Sequence, residues 1–327
     1  MGDLTLFVIA AFAIVVAGSA LAVFADVIVR STGLGALWFG AVIVALITSL
    51  PELVTDVSAV RQGAPDLALG DLFGSSMANM AILATITLVF TTRRLLQRAA
   101  LASILSAMLA IALTALAIVF LAAGSAPAIA DVGLGTVVIA AVYGFGTFAI
   151  RERQNAAELD GAKALVTGMT LRQAQAGFVA AAVMIVLAGP QLAMSADALA
   201  DQTGLGETFF GAFALALATS LPELAVSVSA LRIGALNLAI ANLLGSNATN
   251  MALLLPLDIA YADGPLLAQS DPGLLVTAGA AVLLMAIGTM AIVLKAERGR
   301  LPVDLAAVLM LVAYAVALWA TYDASAG

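Results

Sequence analysis

TSLPELVTDVSAVRQGAPDLALGDLFGSSMANMA, residues 48–81, returns at residues 219–252 as TSLPELAVSVSALRIGALNLAIANLLGSNATNMA, with 20 of 34 positions identical and no gap. Self-similarity of this kind marks two halves of common ancestry. Each copy holds one glutamate, Glu52 or Glu223, inside an otherwise apolar run and directly after a proline. What solvent surrounds those glutamates is therefore the first thing to establish.

The surrounding solvent is lipid. Of 327 residues, 63% are apolar and 10% charged, whereas a soluble domain carries about 25% charged residues. Apolar runs of 18 or more residues recur along the chain, and each can cross a hydrocarbon layer of roughly 30 Å as a helix. Reading them between charged or Gly/Pro/Asp punctuation predicts helices at 4–29, 36–60, 66–90, 100–123 and 132–150. A second set follows at 176–199, 206–231, 237–259, 273–294 and 301–322. Met1, Gly2 and Asp3 offer no basic segment, and the run to Val29 is too long for a secretion signal, so it reads as the first span.

Arg30, then Arg93, Arg94 and Arg98, then Arg151, Arg153, Lys163 and Arg172, then Arg232, then Lys295, Arg298 and Arg300 all fall on alternate loops. Short loops rich in Lys and Arg stay cytoplasmic, so an even number of spans with both termini outside satisfies every one but Arg61. The expected fold is an all-α membrane protein of ten transmembrane helices in two inverted-topology five-helix repeats. The first repeat is 1–150, with its motif at 45–81, and the second is 176–327, with its motif at 216–252. A cytoplasmic connector, 151–175, joins them, and Thr170 with Gln173 fits a helix-starting capping box. Five helices per half invert the second copy, the plan of secondary transporters whose substrate site lies where the repeats meet.

An ionised carboxylate in the membrane interior costs several kcal/mol without a partner. Within the repeats the only basic residues are Arg61 and Arg232, near the membrane surfaces, so a bound cation is the natural counter-charge. Pro51 and Pro222 remove a helix bond and should free the carbonyls of Ile47 and Ala218, and irregular backbone at this depth is tolerated where it lines a cavity. Ser49 and Ser220 lie three residues before the glutamates, on the same helix face, and Thr48 and Thr219 add further oxygens. On the next helix Ser75 and Ser246 precede Asn79 and Asn250 by four residues, which puts hydroxyl and amide on one face. With histidine and cysteine absent, any cation site uses oxygen ligands. A flexible oxygen cage suits Ca²⁺ and can also hold Na⁺. Taken singly, each Ser, Thr or Asn is as readily interhelical glue; the two glutamates are not.

These residues resemble the cation/calcium exchanger superfamily, and within it the prokaryotic sodium/calcium exchangers. Both TSLPEL segments and both GSxxxN segments look like that family's two alpha repeats, over about a fifth of the chain. The resemblance implies ion ligands at Glu52, Ser49, Thr48 and the Ala45 carbonyl with Ser75 and Asn79. In the second half it implies Glu223, Ser220, Thr219 and the Ala216 carbonyl with Ser246 and Asn250. It also implies that helices one and six slide against the other eight. Asn250 stands where some microbial relatives have aspartate. Asp56, where the second copy has Ser227, and Asp71, where it has Asn242, are accessory candidates or structural acids.

Two carboxylates balance one Ca²⁺ or two Na⁺, so one species excludes the other. Moving Ca²⁺ against a ~10⁴-fold gradient needs about 5.5 kcal/mol, and two Na⁺ on a ~10-fold gradient supply about 2.8 with the electrical terms cancelled. A third Na⁺ adds about 1.4 from concentration and about 2.3 from ~100 mV, bringing the total to about 6.5 kcal/mol. The expectation is an antiporter of about three Na⁺ per Ca²⁺ in a prokaryotic cytoplasmic membrane, functional as a monomer, with no cofactor and no nucleic-acid partner. The alternative is H⁺-driven exchange of Ca²⁺ or another divalent cation. An enzyme lacks its usual His and Cys partners, and a channel ordinarily gains symmetry by oligomerising, whereas two half-sites lie within this one chain.

Overall fold

The computed structural model describes residues 2–89, 101–124, 127–129, 131–153, 168–200, 211–271, 273–298 and 303–326. Its first helix, α1 (Asp3–Thr32), is mostly apolar, carries an Asp26–Arg30 ion pair at 2.8 Å near its end and stops at Gly33, whose φ of 70° lets the turn close with its N–H on Val29 O. Left-handed backbone of this kind favours glycine.

Two helices follow that are halves of one broken span: α2 (Ala36–Thr48) and α3 (Leu50–Arg61), bent by 41°. Next come α4 (Pro65–Val89), α5 (Leu101–Ala123), α6 (Leu134–Arg153) and α7 (Leu171–Ala200). The second broken span is α8 (Phe213–Thr219) with α9 (Leu221–Arg232), bent by 46°. After it run α10 (Leu236–Ala260), the single-turn α11 (Leu266–Gln269), α12 (Leu274–Arg298) and α13 (Val303–Ala326). Among the described residues eight helices are long and apolar enough to cross a membrane, or up to ten spans if each bent pair counts as one.

The breaks have a local cause. Ser49 and Ser220 leave helical backbone at φ −87°, ψ 4° and φ −79°, ψ 3°, and proline enters the first turn of each following helix. Ile47 O and Ala218 O thereby lose the amide four residues on that would have bonded them. Upstream of each break the chain is π-helical, at Phe39–Val44 and Gly211–Leu215, a form found often at functional sites.

α4 and α10 are the most enclosed helices, with 72% and 89% of their apolar windows buried against 33% for α1, so they form the centre. The larger apolar core joins α4, α5, α10, α12 and α13 through residues such as Leu72, Phe73, Met80, Leu113, Leu243, Leu284 and Met310. A second core joins α1, α2, α7 and α9, with the start of α10, through Leu21, Phe39, Phe178, Ile185, Val226 and Leu238. α1 and α7 pack side by side. Phe12, Phe145, Leu187 and Trp319 stay exposed, as residues facing lipid tails do.

The predicted spans require three corrections. The sixth helix starts at Leu171, not 176: Gln173 Oε1 accepts from the Thr170 N–H at 2.9 Å while Thr170 Oγ1 accepts from the Gln173 N–H at 3.3 Å, so the capping box sets the boundary ahead of the apolar run. The expected connector is shortened accordingly, and its residues 154–167 lie outside the described ones, as do 206–210 of the expected seventh helix. The all-α expectation also missed a two-residue antiparallel ladder, β1 (Ala128–Ile129) with β2 (Val132–Gly133). It is anchored by Asp258 near the end of α10, which accepts from the Gly133 and Leu266 N–H groups at 2.8 and 2.7 Å and from the Thr136 hydroxyl.

Candidate functional site

Each break delivers its glutamate to the first turn of a new helix, Glu52 in α3 and Glu223 in α9. Unpaired N–H groups and the partial positive charge of a helix start suit a carboxylate there. Glu52 is 1% exposed and Glu223 fully buried, and the two lie close enough to repel each other. The nearest basic residues along the chain, Arg61 and Arg232, come nine positions later, a helical rise of about 13 Å.

The two halves interlock at this level. Glu223 Oε1 accepts from Ser49 of the first break at 3.4 Å and from Ser246 of α10 at 3.2 Å. Thr48 donates to Asn242 Oδ1 at 3.4 Å and lies 3.5 Å from Ser246 Oγ. Its counterpart Thr219 donates to Asp71 Oδ1 at 3.0 Å and lies 3.3 Å from Ser75 Oγ. Each threonine thus crosses to the same two positions on the central helix of the other half. The Ala45 and Ala216 carbonyls accept from the Ser49 and Ser220 amides at 2.9 and 3.0 Å and lie 3.1 and 3.3 Å from the Thr48 and Thr219 hydroxyls, whose single hydrogens are shared with Asn242 Oδ1 and Asp71 Oδ1. Both carbonyls are engaged in this conformation, and an ion would have to displace one of these donors.

Other buried polar atoms have no partner. Glu52 Oε2, Glu223 Oε2, Asp71 Oδ2, Asn79 Oδ1, Ser220 Oγ and both polar atoms of Asn250 are buried without a hydrogen bond. Leaving a buried polar group unpaired costs about 1–3 kcal/mol, more when it is charged, so these atoms are the ones with capacity to receive a cation. Among the described residues no three acidic side chains gather into a metal cluster, and the available donor set is mixed: carboxylate, amide and hydroxyl oxygen.

Over residues 3–150 and 174–322 the chain matches the family model described as "Sodium/calcium exchanger protein". The chain belongs to the sodium/calcium exchanger family. Among its relatives, CaxA of Alkalimonas amylolytica is 29% identical over 273 residues, 80% of this chain and 83% of that one. The sodium/calcium exchanger MaX1 of Methanosarcina acetivorans is 47% identical over 58 residues, 18% of this chain and 17% of its own. In fold the chain is similar to the solved sodium-calcium exchanger NCX_Mj, with a TM-score of 0.68, 17% identity, and coverage of 97% of this chain and 98% of that one.

Within this exchanger-family chain one facing pair of buried positions differs in charge between the halves. In the second half Asn242 donates to Ser227 Oγ at 3.2 Å and to Glu223 O at 3.4 Å, a neutral, satisfied arrangement. In the first half the same positions are Asp71 and Asp56, whose carboxyls are fully buried and within hydrogen-bonding reach of each other. Among the described residues no other group donates to either Asp56 oxygen or to Asp71 Oδ2, and two buried carboxyls this close are held together by a shared proton or by a cation.

Two polar residues have no site role in the sequence reading, Asn242 being named there as the counterpart of Asp71 alone. Asn247 accepts from Asn79 Nδ2 at 3.0 Å and joins the two central helices, and Asn242 ties Glu223 to α10. Asn242 could have been found as the partner position of Asp71. Asn247 could not, because its counterpart is Ser76, which bonds its own helix at Leu72 O.

Proposed function

We propose that the protein is a secondary antiporter exchanging Ca²⁺ for Na⁺ by alternating access, about three Na⁺ per Ca²⁺. The observation that carries this reading is the pair Glu52 and Glu223: one from each bent span, both buried, each with an oxygen that nothing in the protein satisfies. Sited in an apolar chain, such a pair favours states in which a cation neutralises it. Ca²⁺ or two Na⁺ do so, and each species excludes the other.

In this reading the ligands are Glu52, Ser49, Thr48, Ser75 and Asn79 with Glu223, Ser220, Thr219, Ser246 and Asn250. The Ala45 and Ala216 carbonyls join as their present donors give way, and Asp56 and Asp71 are accessory. Ten spans form two inverted halves, the second opening with the helix that starts at Leu171, with both termini outside the cytoplasmic membrane of a prokaryote, and a monomer suffices. The sliding elements are α1 and α7. Family membership supports the ion pair exchanged, and the gradient energies above favour three Na⁺ over two.

Proteoliposomes loaded with labelled Ca²⁺ test it. Efflux should follow an imposed Na⁺ gradient and move net charge. Ca²⁺ movement driven by a pH gradient in the absence of Na⁺ would replace this reading with the H⁺-driven one, and electroneutral exchange would reject the stoichiometry.

A further inference from the structure

The internal repeat reaches further than the glutamate segments. At the offset that aligns Thr48 with Thr219, IVVAGSALA (residues 14–22) of α1 aligns with IVLAGPQLA (residues 185–193) of α7, identical at six of nine positions. Gly18 pairs with Gly189, and each glycine meets the proline turn of the opposite half.

A Cβ added at Gly189 would stand 2.2 Å from Pro51 Cβ, 2.5 Å from its Cγ and 3.2 Å from its Cα. One added at Gly18 would stand 2.8 Å from Ala225 Cβ and 3.4 Å from both Pro222 O and Val226 N. Neither neighbour can turn away. A proline ring is fixed to its own backbone, and an alanine methyl has no rotamer that removes it. The contrast is Gly177, where the obstacle is the Phe24 ring, an end that can swing. A second bond holds the Gly18 contact in place, since Ser229 Oγ donates to Ser19 O at 3.0 Å. Pro51 immediately precedes Glu52, and Pro222 and Val226 bracket Glu223.

We propose that Gly18 and Gly189 are positioning residues for the cation, each allowing the first helix of one half to bear directly on the proline–glutamate turn of the other. Small residues permit such backbone approach. The placement of α1 and α7 then fixes the separation of Glu52 and Glu223, and movement of either helix reaches the ligands through rigid contact, with no intervening side chain to absorb it. This rests on the exchange reading above.

The experiment measures Ca²⁺ affinity by calorimetry on purified wild type, Gly18→Ala, Gly18→Ala/Ala225→Gly and Gly189→Ala, with melting temperatures alongside. Gly18→Ala should weaken binding about 10-fold or more, as misplacement of a ligand by a fraction of an ångström does. Removing the opposing methyl in the double variant should restore affinity to within about 2-fold. Gly189→Ala, against a proline, should be the more severe; if it does not fold, the Gly18 pair decides. A Gly18→Ala protein that melts lower but binds Ca²⁺ like wild type, or a double variant without rescue, overturns the inference alone. A wild type that neither binds nor exchanges Ca²⁺ overturns the exchange reading and this inference together.

Discussion

Ser49, at the break of the first bent span, donates to Glu223 of the second at 3.4 Å. One half's kink therefore orients the other half's acid, and the two cannot be altered independently. Replacing Ser49 with alanine should weaken Ca²⁺ binding through Glu223 while leaving the fold intact. The loss is one hydrogen bond to a charged group, about 1.5–3 kcal/mol or roughly a 10- to 150-fold rise in Kd. Calorimetry on Ser49→Ala checks it, and an unchanged Kd would detach Ser49 from the site.

Glu52→Gln and Glu223→Gln keep shape and remove charge. Each should reduce Na⁺-driven Ca²⁺ exchange about 100-fold or more, since breaking a buried charge pairing costs about 3–5 kcal/mol. Fluxes in proteoliposomes of matched protein content give the comparison. Full activity in either variant would show that the cation binds elsewhere.

Cation binding should also be visible as stability. Ca²⁺ at about 100 times its Kd should add about 2.7 kcal/mol to the folded state, raising the melting temperature of the wild type but not of the Glu52→Gln/Glu223→Gln double variant. Chelator should reverse the rise. An equal rise in both proteins would mean that Ca²⁺ acts at the surface.

Asp56→Ser with Asp71→Asn copies the second half's Ser227 and Asn242 pair into the first. That exchange replaces two mutually repelling buried carboxyls with a neutral hydrogen bond. It should stabilise the cation-free protein by about 1–4 kcal/mol, read as a higher melting temperature in Ca²⁺-free, Na⁺-free detergent solution. A lower melting temperature would reveal a donor that these acids require.

Asp258 serves the fold. Asp258→Asn replaces one of the two acceptor oxygens that hold Gly133, Leu266 and Thr136 and should cost about 2–4 kcal/mol of stability. Exchange per folded molecule should stay near wild type. A selective loss of transport with normal melting would contradict that assignment.

The repeat in TSLPEL and GSxxxN made the bent spans and their glutamates legible, because proline and an intramembrane acid leave strong marks in an apolar sequence. Helix lengths were legible for the same reason, except where polar residues prolong a helix past its apolar run, as Arg172, Gln173 and Gln175 do in α7. The cross-half bonds from Ser49, Thr48 and Thr219 could not be read, since partners more than 140 positions away depend on packing. Asp258 was unreadable on similar grounds: its donors come from a two-residue ladder and a single-turn helix that leave almost no pattern.

The unlike pairs Asp56 with Asp71 and Ser227 with Asn242 have one more consequence. If the halves were identical and oppositely inserted, the states open to either side would be mirror equivalents of equal energy. Substituting acids on one side only removes that equivalence. On the exchange reading proposed above, these two acids bias the resting direction, and apparent affinities at the two membrane faces should differ even with no voltage applied.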